Sequence, residues 1–214
     1  RKIEEAARKL LSEPFDPETP WKEREEKPVV ADGDVRFPTF TTSVGSSTDQ
    51  RGQSAPPFYI EKMWKPTVAD ATNKVVVLDF WATWCGPCVA AIPHMNDIQN
   101  HYGNEVVCLG ISDETSFDSQ MLKRGLKKND FAYGLAIDTS GRLKNFFGVR
   151  GIPHVAVLSG DWVVRWQGHP NSLNKDVLDS IVNANRALLA AASDDGSGPP
   201  PARWVEWLID NRKP

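Results

Sequence analysis

The most continuous apolar run in the chain is KVVVLDFWA, Lys74 to Ala82, interrupted only by Asp79. Its shortness and β-branched content mark a strand buried on both faces rather than a helix. EVVCLGIS, Glu105 to Ser112, repeats the pattern and predicts a second buried strand. Between them, Cys85 to His101 predicts a helix with Pro93 inside it. A proline there has no N–H and crowds an earlier carbonyl, so a kink is expected. Asp118 to Lys128 predicts a further helix, YGLAID a short strand, and GRLKNFFGV a helix of one to two turns ended by Gly148. HVAVLSG and WVVRWQG read as strands joined by a Ser-Gly-Asp turn, an antiparallel hairpin. Asn174 to Ala192 predicts a closing helix. The order β-α-β-α-β, then hairpin and helix, describes an α/β fold: a mixed sheet covered by helices on both faces.

Two zones flank this pattern, and the chain divides into residues 1–52, 53–192 and 193–214. The first zone opens with an amphipathic helical pattern in which Ile3, Ala7, Leu10 and Leu11 share a face. A Pro, Glu and Lys-rich stretch from Pro14 to Pro28 follows, then a segment, TTSVGSSTDQRG, that reads as loop; part of this first zone is expected to be ordered only by docking on the main domain. The last zone is a linker, SDDGSGPPP, and a tail in which Trp204, Trp207 and Leu208 make an amphipathic helix, either docked on the domain or free for a partner.

Composition narrows the function classes. The 214 residues, 40% hydrophobic and 25% charged, suit one globular domain with appendages. A formal charge of −3 offers no broad polyanion-binding face, which argues against nucleic acid as a partner. No apolar run approaches the roughly 20 residues of a membrane helix. The chain opens on Arg1, so it reads as a mature or trimmed form, with any membrane anchor lying upstream. Three cysteines, Cys85, Cys88 and Cys108, are too few for a disulfide scaffold or a four-thiolate zinc site.

Two of those cysteines carry the candidate chemistry. WATWCGPC, Trp81 to Cys88, sets a Cys-x-x-Cys pair between a buried strand and a helix. A cysteine at a helix N-terminus meets free N–H groups and the positive end of the dipole, which stabilise a thiolate. Cys85 is then the attacking sulfur, and Cys88, three residues on, the resolving one. Gly86 and Pro87 suit the first turn of the helix. The bland alternative is a structural disulfide or half a metal site.

VLDFWATWCGPC resembles the active-site segment of thioredoxin-fold proteins, and the likeness extends to Pro93, to RGIPHVAVL, and to Gly168 after the last strand. The 65 residues from Cys88 to Pro153 exceed the spacing of plain thioredoxin. With LAIDTSGRLKNFFGVRGIPH and the lead-in GQSAPPFYIEKMW, the arrangement is similar to TlpA/ResA-type thiol–disulfide oxidoreductases, which share a layout with peroxiredoxins. A peroxiredoxin itself would need a Pro-x-x-x-Thr-x-x-Cys pattern, and Thr83 stands only two residues before Cys85. The final strand is preceded by a shorter turn, LSGDWVV, than the group usually has.

The resemblance implies a thioredoxin-like fold, a cis peptide before Pro153, and a substrate held in extended form against Ile152 and Pro153. His154 stands where the group has a small hydroxyl residue and is expected to touch substrate. Trp81 and Trp84 match the group's active-site tryptophans and are expected to shape the groove, although aromatics beside a strand are usually core. Asp79 matches the group's buried acid, expected to exchange a proton with Cys88; otherwise its strand bends to bring the carboxylate to water. The lysine that often accompanies that acid has no counterpart. Cys108 reads as a small core hydrophobe, and His94, His101 and His169 as solvated or capping side chains.

The implied activity is reduction of protein disulfides, without organic cofactor or metal, by a monomer recharged by an upstream redox partner. The Gly-Pro dipeptide is that of thioredoxin, whose potential is about −270 mV, and this favours the reducing direction. Relatives of this type are commonly exported, so an extracytoplasmic site in a bacterial envelope is expected, with the cytoplasm left open. Two rivals remain: a non-catalytic interaction module on the same fold, and a metal chaperone using the two thiolates.

Overall fold

The computed structural model describes residues 36–41, 43–56, 60, 62–65 and 71–194. The Ile3–Leu11 face, the Pro14–Pro28 stretch and the Trp204–Leu208 tail lie outside the described residues. Six strands form one sheet: β1 (Lys62–Lys65), β2 (Val75–Phe80), β3 (Val106–Ser112), β4 (Gly134–Ile137), β5 (His154–Leu158) and β6 (Val164–Gly168), in the order β1-β4-β3-β2-β5-β6. Four α-helices join them among the described residues: α1 (Gly86–Tyr102), α2 (Phe117–Lys123), α3 (Arg142–Phe146) and α4 (Lys175–Asp194). No described helix is long and apolar enough to cross a membrane.

The parallel pairs β2–β3 and β3–β4 occupy the middle, which is why β2 and β3 are buried at every position. β5 lies antiparallel to β2, and β1 and β6 close the two edges antiparallel. Side-chain alternation divides the core in two. Val75, Val77, Cys108, Leu135, Val155 and Val157 face Cys88, Ile92 and Met95 of α1, Phe117 of α2, and Leu178 and Ile181 of α4. Val76, Leu78, Phe80, Leu109, Ala156 and Leu158 face Leu143 of α3 and Phe147. The mixed sheet with helices on both faces follows the sequence pattern.

Three boundaries differ from the sequence reading. The helix expected over Asp118–Lys128 stops at Lys123, because Gly125 turns left-handed (φ 70°). There its N–H bonds to Leu122 O and that of Leu126 to Met121 O, a Schellman closure. The hairpin loop runs through Trp162 (φ 65°) and Val163, so β6 begins at Val164 rather than at Trp162. Among the described residues of the lead-in, the strand is Lys62–Lys65, on the edge against β4.

The loop of residues 43–55 straps the β6 edge and α3. Gly52 N–H donates to Val164 O (2.8 Å), Val164 N–H to Gln53 O (2.9 Å) and Ala55 N–H to Trp162 O (2.8 Å), pairing the strap along the open edge. Thr48 N–H donates to Phe147 O (2.9 Å), and Arg150 N–H to Ser46 O (2.8 Å). Upstream, the Phe37 ring lies 3.6 Å from the Arg165 guanidinium carbon.

Gly148 couples the strap to α3. It takes φ 56° to end the helix, and a Cβ there would sit 2.2 Å from Thr48 Oγ1 and 3.1 Å from Thr48 N. Gly148→Ala therefore meets both a left-handed backbone cost and a collision with the Thr48 side chain, and is expected to lower stability by about 2–4 kcal/mol. Urea unfolding measures it. A loss below about 0.5 kcal/mol, the scatter of neutral surface changes, would mean that the strap does not hold this position.

Candidate functional site

The carboxyl ends of β2, β3 and β4 and the start of β5 meet at one rim of the sheet, where a ligand crevice forms in open α/β folds. β2 pairs with β5 from Val76↔Leu158 to Phe80↔His154, so the next residues, Trp81 and Pro153, are brought level. The Ile152–Pro153 peptide is cis. From β2 the chain runs through Ala82 and Thr83 to Cys85, the N-cap of α1.

Cys85 and Cys88 are joined by a disulfide. Cys85 is extended (φ −81°, ψ 98°), and its sulfur accepts the Cys88 backbone N–H at 3.2 Å. Gly86 and Pro87 fill the first positions of the helix and are exposed. Pro is tolerated there because the first N–H groups have no partner within the helix. Pro93 lies inside α1 at an exposed position. The helix is tied to the sheet by Gln99, whose amide accepts from Cys108 N–H (2.9 Å) and donates to Val106 O (3.0 Å).

The two tryptophans part company. Trp84 is 60% exposed beside the cysteines. Trp81, expected in the groove wall, is instead 2% exposed and packed edge-on to Phe117 (5.6 Å) and against Phe131 (5.4 Å). The reason is parity: Trp81 still follows the strand alternation and points under α1, whereas Trp84 lies beyond the turn.

His154 is likewise corrected. Expected at the groove, its side chain is 3% exposed on the opposite sheet face, tilted against Phe80 (ring centroids 6.2 Å) and next to Gln167 Nε2 (3.4 Å). It shares parity with Ala156 and Leu158, so the strand turns it inward. Burial, with a smaller push from the His169 charge, lowers its pKa to about 4. The imidazole is thus a neutral core group at neutral pH. His169 caps a short turn by accepting Asn171 N–H at 3.2 Å, and His94 Nε2 lies 3.0 Å from Leu173 O. Cys108 is fully buried, and burial first, then the Asp79 charge, pushes its thiol well above the usual range.

Asp79 is the penultimate residue of β2, 3% exposed, on the face that α1 covers. The strand does not bend to bring it to water. Burial raises its pKa to about 7, and the Tyr133 hydroxyl works in the opposite direction.

One residue at this rim escaped the sequence reading. The Glu114 carboxylate accepts Thr83 N–H and Thr83 Oγ–H, each at 2.7 Å, and Ser112 Oγ–H at 3.1 Å. It clamps the turn two residues before Cys85 to the end of β3. Its only sequence signal is an acid just past a buried strand, a weak one. A groove of about 460 Å³ between α1 and the start of α4 is lined by His94, Tyr102, Leu173 and Leu178 and contains neither cysteine. Among the described residues no three His, Cys, Asp or Glu side chains gather as a metal site.

Known proteins are similar to this chain in sequence. The chain is 32% identical over 115 residues to the thiol-disulfide oxidoreductase ResA of Bacillus thuringiensis subsp. konkukian, covering 51% of this chain and 64% of the relative. It is 29% identical over 119 residues to the thioredoxin-like protein YneN of Bacillus subtilis, covering 54% and 69%. The chain therefore spans a little under two thirds of that ResA's length. Among solved structures it is similar to the exposed lipoprotein thioredoxin Etrx1 of Streptococcus pneumoniae, at 27% identity and a TM-score of 0.44, covering 53% of this chain and 86% of that one. It is a TlpA/ResA-like thioredoxin-fold protein. With residues 52–169 matching the AhpC/TSA family, the chain belongs to that family.

Proposed function

We propose that this chain is a thiol–disulfide oxidoreductase that reduces disulfides in other proteins through Cys85 and Cys88. One observation carries the reading: a Cys-x-x-Cys disulfide at the amino end of α1, with the first sulfur facing a free helix N–H. The family relationship supports it.

In the reduced protein, the Cys85 thiolate attacks one sulfur of a client disulfide. The client's S–S bond breaks, a Cys85–client bond forms, and one client thiolate leaves. The Cys88 thiol passes its proton to the Asp79 carboxylate and attacks Cys85 Sγ. The client leaves as its second thiolate, and the Cys85–Cys88 disulfide returns. Two electrons have moved to the client, and a dithiol partner upstream restores them by the same exchange run on this protein. Ile152 and Pro153 offer the backbone edge for an extended client segment, while Trp84, Gly86 and Pro87 form the exposed surface around the sulfurs. No step calls on a metal or an organic cofactor. We read the working site as extracytoplasmic, in a bacterial envelope, with residues 53–192 as the redox domain and a monomer as the working form; the resemblance to exported relatives supports the first of these.

Equilibration with a dithiol buffer tests the couple directly. A two-electron potential near or below about −250 mV is expected; a value near about −120 mV would reverse the direction of transfer. Absence of any two-electron couple would sink the reading. Cys85→Ser is expected to abolish disulfide reduction, and Cys88→Ser to accumulate a mixed disulfide visible by mass spectrometry under non-reducing conditions.

Asp79 gives a pH-dependent prediction. Its folded pKa of about 7 stands above its unfolded value of about 3.9, so the fold favours the protonated form. The stability that this contributes is complete below pH 4 and is lost as pH rises through 7. In the oxidised protein, the stability of Asp79→Asn relative to wild type should therefore rise between pH 4 and pH 8, on the order of 2–4 kcal/mol. Parallel denaturation curves of the two proteins would exclude a buried, titrating Asp79.

A further inference from the structure

Three buried polar atoms that lack a hydrogen-bond partner among the described residues lie around one glycine: Asp79 Oδ1, Trp81 Nε1 and the Tyr133 hydroxyl. Gly110 in β3 is the register partner of Asp79. A Cβ at Gly110 would lie 3.0 Å from Trp81 Nε1, 3.2 Å from Tyr133 Cε2 and 2.7 Å from Leu135 Cδ2. Both rings thus rest on the Gly110 backbone, one strand away from the carboxyl. Buried polar groups are seldom left unpaired, so a concentration of three asks for a reason.

The donor inventory narrows the choice. An indole N–H only donates, an ionised carboxylate only accepts, and a phenol does either. Trp81 is fixed by rings on both sides, Phe117 and Phe131. Tyr133 stands at the head of β4, propped edge-on by Phe131 at 5.5 Å, and is fully buried. Its hydroxyl and the Asp79 carboxyl are thus an unpaired phenol and an unpaired acid on the same face of the sheet, either side of Gly110.

We propose that Tyr133 is a positioning residue for the buried acid: its phenol, laid over Gly110, presents the hydrogen-bond donor that orients the Asp79 carboxyl and steadies its ionised form. The proposal rests on the oxidoreductase reading, in which that carboxyl accepts the Cys88 proton.

The other groups on this face leave a clean test. β3 contributes Cys108, whose thiol burial holds neutral, and β5 contributes only Val155 and Val157. The Tyr133 phenol itself is pushed well above its usual range by burial and by the Asp79 charge. His154 lies on the reverse face and titrates near 4. α1 contributes the Cys85–Cys88 disulfide, which does not titrate while oxidised. Lys65 on β1 donates to the Phe131 carbonyl. The carboxyl resonance is specific to Asp79, so its midpoint is read directly whatever the α1 histidines His94 and His101 do.

Carbon-13 NMR of the Asp79 carboxyl in the oxidised protein reads the effect. The wild-type midpoint should lie near 7, and Tyr133→Phe, which removes only the hydroxyl, should raise it by about 0.5 to 1 in pH. Phe131→Leu removes packing beside the same ring but no donor, and should leave the midpoint in place. In the reduced protein, the acidic limb of the rate of mixed-disulfide resolution should move upward with Tyr133→Phe, and Tyr133→Phe should add nothing to Asp79→Asn. An unmoved midpoint in Tyr133→Phe overturns the proposal and leaves Tyr133 as packing. If that variant does not fold, the wild-type Tyr133 Cζ resonance decides: an inflection at the Asp79 midpoint supports the contact, and a flat titration overturns it. The NMR midpoints need no turnover, so a protein with no redox couple would sink the oxidoreductase reading and still report on this contact.

Discussion

Much of this molecule depends on the register of β5 against β2. Pairing Phe80 with His154 and Asp79 with Val155 sends the chain leaving β2 and the chain entering β5 through the same rim. That one alignment brings the cis Ile152–Pro153 peptide level with Trp81 and sets the parity of every side chain on both strands. With β2 held by β3, a shift of β5 by one residue would turn His154 under α1 and carry Val155 and Val157 to the α3 face. The valines and leucines on both strands make such a slip expensive, because β2 is buried at all six positions. Apolar packing thereby fixes where the polar groups of the site can be.

The same packing sets the electrostatics. A carboxyl buried in an apolar strand is held as the acid until pH approaches 7, near the point where a proton can move in either direction at small cost. A fully apolar β2 would be more stable at neutral pH, and Asp79 is the exception in an otherwise hydrophobic strand. The rim shows a second form of this restraint. Glu114 uses both carboxylate oxygens to hold Thr83, so the segment carrying Cys85 is fixed to β3 by side-chain hydrogen bonds rather than by a strand ladder.

Local pattern carried a large part of this into the sequence. The β-branched runs declared β2 and β3, the Cys-x-x-Cys pair declared its helix N-terminus, and a lone aspartate in an apolar run declared a buried acid. Failures came where the outcome turned on parity or on distant partners. Trp81 and Trp84 look alike in WATWC, yet one continues the strand alternation and the other follows the turn. His154 sits beside Pro153 in sequence, but alternation with Ala156 and Leu158 carries it to the far face. Tyr133 is 54 residues from Asp79, and its ring packs over Gly110, the register partner of Asp79, only because a glycine leaves room there. Asp118–Lys128 was overextended because the left-handed turn at Gly125 outweighed the helical pattern beyond it.

The geometry of α1 also bears on the order of events in disulfide exchange. Cys85 is the N-cap, outside the helix, and its sulfur receives an N–H that the helix cannot use. Cys88 lies inside the first turn, and its own N–H is the one donated to Cys85, so the same contact that stabilises charge on one sulfur offers none to the other. A thiolate at Cys85 needs only the helix. A thiolate at Cys88 forms in a site walled by apolar side chains, where desolvation opposes it, and so needs an internal proton acceptor. On this reading the buried acid belongs to the second step and not to the first. Loss of Asp79 should then slow release of the client while leaving its capture by Cys85 largely intact.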